Sequence, residues 1–203
     1  MAAERKKSIQ KKEAILDAAM QLFLEKGYNA TSTNDVCRKA YINKPSLYNF
    51  FENKRNLFFA CHIKSINSQL LPYLERASSV SDPEERLVFM VREFTRMICE
   101  SPELKVLIHE TMSMTDDYFW EIRSIWKKHF ELLKSTISEL RDKGLIKTSL
   151  SPSRAALFLI GMITWITFWF DYTRADEIDA IAGSAVEFVF KGLSYKRKKL
   201  NVV

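Results

Sequence analysis

Residues Ser32 to Phe51 accommodate two short helices and a three-residue turn, and little else. Ser32-Thr33-Asn34-Asp35 opens the first with a capping-box-like pattern, in which side chains at either end of the turn satisfy each other's orphan amides. Val36, Cys37 and Ala40 then supply its buried side at helical spacing. After Tyr41-Ile42-Asn43 a second helix begins, capped by the side-chain oxygen of Asn43. Pro45 falls in its first turn, where a missing N–H costs little, and it biases Lys44 away from the helical region, so the boundary can lie one residue later. Leu47, Phe50 and Phe51 turn inward, which leaves Lys44, Ser46, Tyr48 and Asn49 on an opposite surface that is basic and rich in hydrogen-bonding groups. Neither helix is long enough to stand alone, so each must lean on the other.

Two short helices joined this way form a helix-turn-helix, whose second member enters a DNA major groove. Gly27-Tyr28, Thr31-Ser32, Val36, Ala40, Lys44 through Phe51, Lys54 and Leu57 agree in register with a known pattern. Over Lys11 to Phe59 the chain resembles the DNA-binding domain of TetR-family transcriptional repressors. It departs at Tyr41, where that family usually has glycine; a tyrosine there must accept a left-handed conformation or shift the turn. The resemblance implies that Ser32, Thr33, Tyr48 and Lys54 position the protein on phosphates. Lys44, Ser46 and Asn49 are placed to reach base edges, and Pro45 to bring backbone close to DNA. It further implies that the helix beginning after Asn53 links the DNA-binding domain to a ligand-binding domain and carries the signal by its tilt.

With 203 residues, 47% of them hydrophobic, the chain can bury a small domain and a larger one. Five Gly and five Pro argue for long helices over strands and turns, so the expected fold is all-α. A helix-turn-helix domain with a basic N-terminal arm is expected over residues 1–57, and a helical ligand-binding and dimerisation domain over 58–203. The first helix should hold Ile15, Ala18, Ala19, Leu22 and Phe23 in the core and stop near Gly27. Further helices are expected at Pro83 to Glu100, Pro102 to about Met114, Asp116 to Lys143, Pro152 to about Tyr172 and Ile178 to about Lys196. Charge is uneven: residues 1–57 carry 11 Lys and Arg against 6 Asp and Glu, residues 58–190 are mildly acidic, and residues 191–203 carry five cations and no acid. This favours a polyanion partner at one end. The arm residues Arg5-Lys6-Lys7 and Lys11-Lys12, beside a helix-turn-helix, suit phosphate contact.

Other classes find less support. Cys37, Cys61 and Cys99 lack the spacing of a disulfide framework or zinc site and read as reduced, buried thiols of a cytoplasmic protein; no metal is expected. No apolar run follows the basic N-terminus as a signal peptide would require. Ala155 to Phe170 is free of charge over 16 residues, short of a membrane span, and reads as a buried helix. An enzyme would have to rely on His109-Glu110 without a nucleophile elbow or metal motif. A helical adaptor binding protein partners would leave the basic motif unexplained.

The aromatic residues bear on a ligand. Trp120, Trp126 and Phe130 fall on the long helix, and Met162, Trp165, Phe168 and Trp169 on the next, where Gly161 allows close approach. Any one of them fits an ordinary core; as a group they could line an apolar cavity. Gly161-Met162, Trp165 and Trp169-Phe170 resemble the corresponding helix of TetR-family regulators of fatty-acid and sterol breakdown, which implies an acyl-coenzyme A effector; another apolar small molecule is the alternative, and no cofactor is expected. Arg92, Arg96, Arg123, Lys127 and Lys128 are available for its phosphates. The surplus apolar surface from Phe158 to Phe170, with Ile178, Ile181, Ala185, Phe188 and Val189, suits a symmetric homodimer formed by four helices across a two-fold axis. Two recognition helices about 34–36 Å apart would then read a palindromic operator.

Overall fold

The computed structural model describes residues 1–111 and 117–194. Every regular element among them is helical. In order these are α1 (Ala2–Ala30), α2 (Thr33–Lys39), α3 (Lys44–Tyr48), α4 (Lys54–Ser65), α5 (Leu71–Ser79), α6 (Pro83–Glu100), α7 (Pro102–Thr111), α8 (Asp117–Asp142), α9 (Pro152–Thr164), α10 (Ile166–Trp169) and α11 (Ile178–Ser194). A π-helical turn, Ile66–Leu70, joins α4 to α5, and a 3-10 turn, Ala175–Glu177, leads into α11. The expected helix ends at Met114, Asp116 and Lys196, the basic run after Ser194 and the side chain of Phe119 lie outside the described residues.

Helix starts follow the local chemistry. Asn53 accepts from the Asn56 amide, Asp82 from Glu84 and Glu85, and Ser151 from Arg154, with Pro83 and Pro152 in the first turns that follow. Helix α1 does not stop at Gly27: it kinks there, at φ 81°, and continues one turn to Ala30. The buried Thr31 hydroxyl donates to the Gly27 carbonyl at 2.8 Å, holding the end of that last turn.

Contacts group the chain into two compact units. The smaller holds Met1–Leu70 and Pro102–Trp120, so the expected boundary at residue 57 falls within it. The reason lies in α4, whose Phe58 meets Phe23 at 5.6 Å and Tyr28 at 5.0 Å between ring centres. Ile15, Ala19, Val36, Leu47 and Leu57 complete a core from which water is excluded.

The larger unit comprises Leu71–Ser101 and the chain from Glu121 onward. Helix α6 is its centre and packs against α5, α9, α10 and α11, burying Leu87, Met90, Phe94 and Ile98. The apolar stretch expected to be a buried helix is not enclosed. Pro152–Trp169 is long and apolar enough to cross a membrane by length and composition, yet only 33% of it is buried and it breaks at Trp165 into α9 and α10. Ala155, Ala156, Leu159 and Ile163 face the core, whereas Leu157, Phe158, Trp165, Phe168 and Trp169 face outward. Apolar character all round a helix therefore serves two surfaces here, only one of them internal to the chain.

Candidate nucleic-acid interface

Helices α2 and α3 are anchored by Val36, Cys37 and Leu47, which are buried, and Leu47 is fully so. The capping box forms as expected: Ser32 Oγ accepts from the Asp35 amide at 3.2 Å, and the Ser32 amide donates to Asp35 Oδ2 at 3.0 Å. The Lys26 ammonium, 2.7 Å from the same carboxylate, and the Ser32 amide together hold Asp35 well below the usual carboxylate range. Asn43 caps α3 by accepting from the Ser46 amide at 3.0 Å.

The turn between them resolves the question raised by Tyr41. Its φ is +53°, the left-handed region. The Tyr41 amide donates to the Arg38 carbonyl at 3.3 Å and the Ile42 amide to the Cys37 carbonyl at 2.9 Å. This is a Schellman ending, which requires the left-handed residue between helix and turn. Gly144 ends α8 with the same pair of bonds, from Gly144 to Arg141 and from Leu145 to Leu140, both 2.9 Å. The chain thus builds one motif twice, once with glycine and once with an exposed tyrosine.

Lys44, Pro45, Tyr48 and Asn49 are exposed along α3 and its end, while Ser46 is half-buried. Thr33 Oγ1 lies 3.5 Å from the Tyr48 hydroxyl, which brings these two expected phosphate contacts onto one surface with Ser32 beside them. Ser46 Oγ accepts from Lys11 Nζ at 3.0 Å, a contact between α1 and α3 that local sequence pattern does not reveal. Lys54, expected at phosphates, is turned inward. Its ammonium donates to the carbonyls of Tyr28 at 2.9 Å, Asn29 at 3.4 Å and Thr31 at 3.0 Å, and lies 4.3 Å above the Tyr28 ring. Those carbonyls cluster at the end of α1, that of Tyr28 also accepting from the Thr31 amide at 3.2 Å, so Lys54 locks α4 to that end.

Along α4, Asn56, Phe59 and His62 fall three residues apart on one face and meet both helices beside residues 112–116. Thr111 Oγ1 lies 3.0 Å from His62 Nδ1. The Tyr118 ring stacks on Phe59 at 4.3 Å, and Asn56 donates to the Tyr118 hydroxyl. Burial lowers His62 to about 4, so its ring is neutral at pH 7. His109 and Glu110 lie on the neighbouring α7, and burial lowers His109 as well. No group of three or more His, Cys, Asp and Glu suited to a metal occurs among the described residues.

The expected pocket residues separate into two sets, and Trp120 stands apart in the smaller unit, exposed. Trp126 and Phe130 are half-buried on α8; Trp126 meets Phe94 edge-on at 6.0 Å. Between them His129 is buried, lowered to about 4, with Nε2 3.1 Å from the Tyr73 hydroxyl. Met162, Trp165 and Trp169 instead line a groove of about 870 Å³ together with Ile181, Ala185 and Phe188. Phe168 is exposed beside it, stacked on Trp165 at 4.3 Å. Of the expected interface residues, Phe158 and Phe188 are 63% and 66% exposed, whereas Ile178 and Val189 are already buried within the unit and are not part of the outer face.

Comparison with known proteins gives two family matches. Residues 15–61 match bacterial regulatory proteins of the tetR family, and residues 80–193 match a tetracyclin repressor-like C-terminal domain. The chain is 27% identical to the HTH-type transcriptional regulator YhgD of Bacillus subtilis, over 92% of this chain and 98% of the relative. It is 24% identical to the HTH-type transcriptional activator FasR of Mycolicibacterium smegmatis, over 89% of this chain and 82% of that one. The crystal structure of AibR in complex with isovaleryl coenzyme A and operator DNA superposes with a TM-score of 0.81 at 27% identity, covering 89% of this chain and 98% of AibR.

Proposed function

The chain belongs to the TetR family of bacterial regulatory proteins, and from that premise we propose a dimeric, effector-responsive reader of a palindromic operator. The carrying observation is α3 itself. A fully buried Leu47 fixes the helix, and Lys44, Tyr48 and Asn49 project from its exposed side. In this reading Tyr48, Thr33 and Ser32 contact phosphates, Lys44, Ser46 and Asn49 reach base edges, and Pro45 lets backbone approach the DNA. Lys54 contributes by holding the frame. Family membership makes the chain a DNA-binding regulator and not an enzyme.

The dimer is proposed to form through the groove of α9, α10 and α11, where Phe158, Trp165, Trp169, Ile181, Ala185 and Phe188 present an apolar surface to solvent. Paired across a two-fold axis, the broken α9–α10 stretch, counted as one helix, and α11 of each protomer give the four-helix arrangement expected from sequence. This use of Trp165 and Trp169 leaves the aromatic layer around Trp126, Phe130 and His129 as the better candidate for an effector. The AibR complex supports an acyl-coenzyme A as its class. The protein is proposed to act in the cytoplasm as a repressor released by that ligand; the FasR relative makes activation the competing mode.

Titration of isovaleryl-coenzyme A and longer acyl-coenzyme A thioesters into the protein–operator complex tests the effector class. Release by at least one thioester, and not by free coenzyme A, is expected. Release by none of them refutes it. Ligand can shift DNA affinity only by its differential affinity for the two conformers.

A further inference from the structure

The first turns of α1 form a charged surface that the recognition helix does not account for. Every residue from Glu4 to Gln10 is exposed, so tertiary packing does not explain this stretch. Among the described residues no ion pair engages Arg5, Lys6, Lys7, Lys11 or Lys12; the carboxylate of Glu4 faces the N-terminal ammonium at 3.6 Å. Arg5, Lys6 and Lys7, without an ion-pair partner, keep their charge available to a polyanion, while Lys11 bonds Ser46 and Lys12 lies 5.9 Å from the centre of the Phe51 ring.

Its position is set by Lys11. The 3.0 Å bond from Lys11 Nζ to Ser46 Oγ brings α1 beside the surface of α3 that faces a base pair in the reading above. Lys7 lies one turn earlier on the same face of α1. From Ala2 to Lys11 the helix rises about 14 Å, or about four base-pair steps of DNA. The Lys11 bond is also poised for exchange. It joins an ammonium to a neutral hydroxyl, and a phosphate is a much stronger partner for the ammonium.

We infer that the first three turns of α1 are a second DNA-contacting element, docking on phosphates that flank the half-site, with Lys11 passing from Ser46 to a phosphate and freeing the Ser46 hydroxyl for a base edge. This rests on the DNA-binding reading and extends it in two respects. The footprint reaches beyond the palindrome, and base reading at Ser46 becomes dependent on phosphate engagement by Lys11.

The test uses the full chain on two operator duplexes, one trimmed to the palindrome and one carrying about a helical turn of flanking DNA on each side. For the wild type, flanks should raise affinity and steepen the dependence of log K on log salt by about 2–3 per subunit, from about 0.9 per phosphate neutralised by Arg5, Lys6 and Lys7. The triple variant Arg5→Gln, Lys6→Gln, Lys7→Gln should bind both duplexes alike with unchanged sequence preference. Lys11→Met keeps the aliphatic stem; it should lower the slope by about 1 and alter preference at one position of each half-site. That alteration should vanish when Ser46 is already alanine. A triple variant retaining the wild-type flank effect, or a Lys11→Met protein with unchanged slope and preference, overturns the inference. Failure of the wild type to select a palindrome overturns the DNA-reading assignment as well, so the two failures are distinguishable.

Discussion

Replacing Tyr41 by glycine should stabilise the protein. The residue sits at φ +53° in a Schellman ending, where an L-residue costs about 1–2 kcal/mol relative to the right-handed region. Its side chain is 96% exposed, so almost no packing is lost on truncation. Glycine returns about 0.5–1 kcal/mol of this through the greater freedom of the unfolded chain. The balance is a gain of about 0.5–1 kcal/mol. Gly144→Ala is the mirror experiment: the backbone is at φ +71° with nothing within 4 Å of an added Cβ, so the loss of about 1 kcal/mol is conformational alone. Urea unfolding of both variants, with the slope of the transition held common, measures the two changes. A destabilised Tyr41→Gly protein, or Gly144→Ala with no cost, would show that the left-handed positions carry no strain and refute the reasoning.

Lys54→Met should cost about 2 kcal/mol in urea unfolding without DNA, because three carbonyls at the end of α1 lose a charged donor. Unchanged stability with weaker DNA binding would return Lys54 to the phosphates. His62 and His129, lowered to about 4 by burial, are neutral when folded, while the unfolded chain titrates near 6.5. The unfolded state therefore binds more protons between those values, so stability is fully present above about pH 6.5 and is lost as pH falls toward 4, by up to about 3 kcal/mol for each ring. Unfolding midpoints at pH 7 and 4.5 measure this, and His129→Gln should flatten the dependence. Tyr48→Phe should weaken binding to all duplexes by a few-fold, whereas Asn49→Ala should change which sequences bind, by about 1–3 kcal/mol at one base pair. Operator titrations and selected sequences identical to wild type for both would remove these residues from the interface.

The motif was legible because its signals are local. Ser32, Asn43 and Asn53 cap helices whose amides lie three residues ahead, and the helix-turn-helix needs only short-range geometry and a periodic apolar face. Gly27 misled about the end of α1 because a positive φ can mark a kink as well as a stop, and Thr31 tied the extra turn down. Lys54 and Lys11 were illegible for the opposite reason. Their partners lie 23 to 26 and 35 residues away, and no periodicity encodes where a flexible cation's head comes to rest. The apolar stretch of α9 and α10 shows a further limit: sequence gives the amount of apolar surface, but not whether it is covered by the same chain. Ile178 and Val189 look like Ile181 and Ala185 in sequence, and only the packing of α11 on α6 separates inner from outer.

Selection of purified protein against a library of random DNA duplexes, sequenced after binding at two salt concentrations, tests the central claim most directly. The account predicts enrichment of a palindrome whose half-sites are centred about one helical turn, or a multiple of it, apart, with affinity falling steeply as salt rises. Enrichment of no sequence, or binding that depends on salt but not on sequence, would contradict a dimeric reader built on α3.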